Sequence, residues 1–211
     1  MGHGVRRRAA TAARCVLAAA TAAVVVLGVA DAATIPGGIG PFRIELRSST
    51  VCPASEKCLK PDKFSVENLK VTRDPKDEYK YTTNADVKST INFDDSYKTE
   101  IRVTRWSAIS NGWTNSVFRM TVTKPCSAFK SHRPDIFKQI SDLYYDGKLE
   151  DCPITPVTAQ VRDFVSEGKP PSQVKTLPYG RFRARIKLID TSQECLHCLD
   201  VVTDVLPKRR Q

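Results

Sequence analysis

Tyr179-Gly180-Arg181-Phe182-Arg183-Ala184-Arg185-Ile186-Lys187-Leu188-Ile189 is the stretch that decides the fold. Phe182, Ala184, Ile186 and Leu188 alternate with Arg181, Arg183, Arg185 and Lys187. Successive side chains of a strand point to opposite faces, so a period of two gives one dry face and one wet, positive face. Wrapped as a helix, the four basic residues would ring the circumference and leave no apolar stripe. Leu177-Pro178-Tyr179-Gly180 just before it reads as a turn, because Pro presets φ and Gly permits positive φ. A half-buried strand over an ordinary core accounts for the pattern. The sharper expectation is that the dry face lines a ligand cavity.

Outward from this strand, alternation marks further strands at residues 42–46, 64–71, 79–93, 100–106, 116–123 and 158–165, and less regularly at 196–206. Turn signals separate them: Asp74-Pro75, Asp94-Asp95-Ser96, Asn111-Gly112 and the Gly168-Lys169-Pro170-Pro171 run. One segment, residues 134–145, has helical spacing instead, in Ile136, Phe137, Ile140, Leu143 and Tyr144. Pro134 suits a first helical turn, Asp135 complements the dipole, and Gly147 can end the helix. The expectation is a mainly β chain: an antiparallel β-sandwich or β-cup with one short helix.

The chain has 211 residues and a formal charge of +10. Arg6, Arg7, Arg8 and Arg14 precede an apolar run from Cys15 to Ala30, and small residues follow. That is the composition of a secretory signal peptide, with cleavage after Ala30, Ala32 or Ala33. The run falls short of the roughly 18–20 residues that span a bilayer. The expected organisation is a signal over 1–32, a loose leader over 33–41, one domain over 42–207 and a basic tail over 208–211. The processed chain would be extracellular, with a charge of about +7. Such a surface suits acidic lipids, glycans or receptors, or simply confers solubility. No basic block is long enough to read as a nucleic-acid arm.

Cys15 leaves with the signal. Cys52, Cys58, Cys126, Cys152, Cys195 and Cys198 remain, an even set that reads as three disulfides with fifteen possible connectivities. Cys195-x-x-Cys198 is a candidate redox pair, and Cys52, Cys58, Cys195 and Cys198 together a candidate zinc site. Oxidation on the secretory route favours the structural reading over both, so no metal and no cofactor is expected. His132 and His197 have no nucleophile motif beside them, and no hydrolase or phosphate-loop signature occurs. The expectation is a protein that binds and does not catalyse.

Binding by shape remains. Apolar burial stabilises a guest by roughly 25 cal/mol per Å², so ten methylenes contribute about 8 kcal/mol before ordering costs. Candidate cavity walls are Phe182, Ile186 and Leu188, with Phe118 and Met120. Phe137, Ile140 and Trp113 are candidates for the rim. An alternative function uses the other side of the strand: Arg181, Arg183, Arg185 and Lys187 would hold an acidic glycan or a receptor.

The order of features also carries a resemblance. Lys124-Pro125-Cys126 closes a strand, a helix follows, then Asp151-Cys152-Pro153-Ile154, then Leu177-Pro178-Tyr179-Gly180-Arg181-Phe182-Arg183. This resembles the arthropod secreted proteins related to the ganglioside activator, including the CheB-like chemosensory group, at or near the ML lipid-recognition superfamily. The resemblance covers most of the chain after about Phe42. It implies an immunoglobulin-like β-sandwich whose sheets splay around an apolar cavity for lipid or another hydrophobic ligand. It also implies a Cys126–Cys152 bridge, and a pairing of Cys52 or Cys58 with Cys195 or Cys198.

Overall fold

The computed structural model describes residues 39–56, 58, 60–77, 79–168 and 174–208. The expected signal segment, most of the leader and the end of the basic tail lie outside the described residues. The chain is mainly β and sandwich-like, with antiparallel sheets.

The first strand, β1 (Ile39–Gly40), pairs with β9 (Leu177–Pro178), so the end of the leader is held rather than loose. The large sheet has the order β2 (Phe42–Val51), β11 (Cys195–Pro207), β10 (Gly180–Ile189), β5 (Lys98–Ser107). Two short strands, β6 (Gly112–Trp113) and β7 (Phe118–Thr123), lie in succession along the free side of β5. The small sheet has the order β3 (Phe64–Arg73), β4 (Lys80–Ser89), β8 (Val157–Glu167).

The arginine-rich strand sits as its alternation requires. Phe182, Ala184 and Ile186 are buried, while Arg181, Arg183, Arg185 and Lys187 face the other way. Its partner β11 lies between β2 and β10 and is covered on both faces, which is why its sequence alternates poorly.

Among the described residues two α-helices occur where the sequence predicts one. α2 (Pro134–Tyr144) is the expected helix, followed by Gly147 at φ +74°. The additional one is α1 (Pro125–His132). It follows Lys124, a left-handed residue with no side-chain cap, and buries only Pro125, Cys126 and Phe129. Its local signal is therefore weak. Tertiary packing and the bridge at Cys126 hold it.

The cysteines pair as Cys52–Cys198, Cys58–Cys195 and Cys126–Cys152, with Cα separations of 5.3, 4.8 and 6.1 Å. The first two tie the far end of β2 and the following loop to the start of β11. The third ties α1 to the segment before β8. Among the described residues no helix is long and apolar enough to cross a membrane.

Candidate functional site

Among the described residues the buried apolar side chains form two large clusters, and Cys52, Cys58 and Cys198 make a small third one. The first belongs to the small sheet: Val66, Ala85, Val87, Val161 and Phe164, covered by Phe129 of α1 and by Ile136, Phe137 and Ile140 of α2. The second belongs to the large sheet: Phe42, Ile44, Ile101, Val103, Phe182, Ala184, Ile186, Val201 and Val205.

Register makes the large-sheet face explicit. One row crosses Ser49, Val201, Ala184, Val103 and Phe118. The next crosses Val51, Leu199, Ile186, Ile101 and Met120, and a third His197, Leu188, Thr99 and Val122. The middle of the first two rows is enclosed: Ala184 is 5% exposed and Ile101 3%. At the β7 end Phe118, Met120 and Val122 are only half-buried.

The two apolar faces meet along one side. Tyr81 of β4 donates its hydroxyl to the Ile44 carbonyl at 3.3 Å and accepts from the Leu46 amide at 3.5 Å. Phe64 of β3 stands edge-on to His197 of β11, ring centres 4.9 Å apart. At the other side the helices pack on the small sheet, and Val174, Leu177 and Tyr179 pack on the large one.

Several buried polar atoms interrupt these apolar faces. Ser49 Oγ, Thr83 Oγ1, Ser166 Oγ and both ring nitrogens of His197 have no hydrogen-bond partner among the described residues. Each lies on the apolar side of its sheet by register. Leaving such a group unpaired costs about 1–3 kcal/mol, so four residues of this kind on facing surfaces require a reason. Burial pushes the His197 imidazole down to about 4, so at neutral pH it is uncharged and offers one donor and one acceptor.

The structure therefore brings Phe182, Ile186, Leu188, Phe118 and Met120 onto a single face, as five of the candidate residues. It does not bring the other three with them. Phe137 and Ile140, expected at a rim, are 4% and 0% exposed inside the small-sheet cluster. Trp113 lies on the opposite, charged face, where it meets Trp106 edge-on at 5.3 Å and Arg183 at 4.6 Å. His197 is the residue that sequence reasoning missed; between two cysteines it reads as a spacer.

The charged face is largely self-neutralised. Arg181 donates to Asp204 at 2.7 and 3.1 Å, and Arg185 to both oxygens of Asp200 at 2.8 Å. Arg185 also pairs with Glu56, which takes Lys187 at 2.9 Å. Of the four residues in the expected basic stripe, Arg183 alone has no carboxylate partner among the described residues. The Arg181 and Arg47 guanidiniums hold Asp204 below the usual carboxylate range.

The cysteine pairing settles how the two cysteine motifs are used. Cys195 and Cys198 belong to different bridges, so the Cys-x-x-Cys spacing forms no dithiol pair. Those bridges also remove the four thiolates of the candidate zinc site. Among the described residues no group of three or more His, Cys, Asp and Glu side chains is placed to hold a metal ion. No protein-family model and no curated protein matches the chain.

Proposed function

We propose that the protein is a secreted, non-enzymatic binder of a lipid or other hydrophobic ligand, held against the apolar face of the large sheet. The observation that carries this reading is an apolar large-sheet face to which no described helix contributes a buried residue, and which ends in half-buried Phe118, Met120 and Val122 on β7. Unpaired His197, Ser49, Thr83 and Ser166 suit a guest that is mostly apolar with few polar atoms. The likeness to ML-type lipid-recognition proteins points the same way, and the three disulfides fit passage through an oxidising compartment. In that role the protein would act as a carrier, a presenter or a chemosensory accessory.

The test is native mass spectrometry of the full chain recovered from the medium of secreting cells, followed by displacement of a fluorescent fatty acid. Co-purified mass released by organic solvent, and micromolar displacement weakened by Met120→Ser, are expected. A protein that carries no guest and binds no probe overturns the reading.

A further inference from the structure

The positive charge left unpaired on the large sheet is not the stripe on β10. Apart from Arg183, it lies on the strands beyond β10, β5 and β7. Arg185, Arg102 and Arg119 are directly opposite one another on β10, β5 and β7 and form a cross-strand row on the charged face. Asp200 and Glu56 neutralise only the first. Arg102 and Arg119 are exposed, and neither has a carboxylate within ion-pair distance among the described residues. Arg183 stands in the neighbouring row, opposite Thr104, and lies over the Trp113 ring. The one carboxylate close by along β5 is Glu100, whose opposite neighbour Lys187 is taken by Glu56.

Like charges placed directly opposite on one face destabilise a sheet. Here two such contacts adjoin in a single row, about 4.8 Å per step. An indole pair lies beside them. We propose that Arg102, Arg119 and Arg183, with Trp113, form a binding site for a sulfated polysaccharide. The exposed Arg102 and Arg119 and the half-buried Arg183 would take successive sulfates in forked hydrogen bonds, and the indole would pack against the apolar face of a sugar ring. A linear chain of regularly spaced anions matches a row of cations across strands better than a single phosphate does. The site faces away from the apolar cluster, so it does not rest on the presence of a hydrophobic guest.

The test is heparin affinity of the full chain with its disulfides formed, measured across a salt series. The unaltered protein is expected to stay bound above physiological salt. Arg102→Ser with Arg119→Ser should weaken binding at least tenfold and reduce the salt slope by about one to two units. Trp113→Leu should weaken binding about threefold with the slope unchanged, which separates sugar packing from bulk charge. Arg181→Ser with Lys187→Ser, which changes net charge equally, should leave affinity within twofold. The proposal is overturned if the Arg102/Arg119 variant binds as well as the parent, or if both double variants lose affinity equally. It is also overturned if phosphatidylserine vesicles bind more tightly than heparin through the same residues, which would assign the face to a membrane.

Discussion

The two apolar clusters start from similar strands and end differently. On the small sheet, Ala85, Val87, Val161 and Phe164 meet two helices, and Ile136 and Ile140 are fully enclosed. On the large sheet, an equally apolar face is closed near β2 by Tyr81 and left half-covered at β7. What separates core from candidate site is therefore not the composition of the strands but what the chain lays over them. The helix-bearing segment packs into the small-sheet cluster, and Cys126–Cys152 ties it to the segment before β8.

The sharpest way to break this comparison is truncation in both clusters. Phe164→Ala, at a position 2% exposed, should lower unfolding free energy by about 4 kcal/mol in urea denaturation. Met120→Ala at the β7 edge should cost under about 1 kcal/mol, because little enclosed packing is lost. Equal losses would mean that both clusters are ordinary core.

Acid should expose the second difference. The His197 imidazole has its folded value near 4 against an ordinary 6.5, and burial is the cause. Between those values the unfolded chain binds a proton that the folded chain refuses. Stability contributed by keeping this ring neutral is thus intact above about pH 6.5 and falls as pH drops toward 4, by up to about 3 kcal/mol. Denaturation midpoints from pH 7.5 to 4 would record it, and His197→Phe should flatten that part of the curve. A parent protein whose pH profile matches the variant's would show that the ring is not held neutral between the sheets.

The smallest effect concerns binding alone. Met120→Ser should weaken fatty-acid displacement about fivefold while leaving the denaturation midpoint nearly unchanged. Ile140→Val, in the sealed cluster, should do the reverse: a loss of about 1 kcal/mol in stability with binding unaltered.

Much of this architecture was legible from residue order. The alternation from Phe182 to Leu188 placed Phe182, Ile186 and Leu188 on one face, that of residues 116–123 placed Phe118 and Met120 there too, and turn residues such as Asn111-Gly112 marked where strands stop. Three features were not legible, each for a physical reason. Helix α1 has no cap from its own N-cap residue and little amphipathic signal; Asp95, remote in sequence, accepts from the Ser127 amide of its first turn, and a bridge ties it to Cys152. The basic stripe is neutralised by Asp200, Asp204 and Glu56, which only folding brings beside it. The split of the interior depends on where the helices pack, so the helical spacing of Phe137 and Ile140 could not distinguish a rim from a sealed core.

Methyl NMR of the Ile-, Leu-, Val- and Met-labelled protein, titrated with a long-chain saturated fatty acid, tests the central claim most directly. The account predicts saturable shifts at Met120, Val122, Leu46 and Val201, with the methyls of Ile136 and Ile140 left in place. Shifts confined to the helix-covered cluster, or an unchanged spectrum at saturating fatty acid, would contradict it.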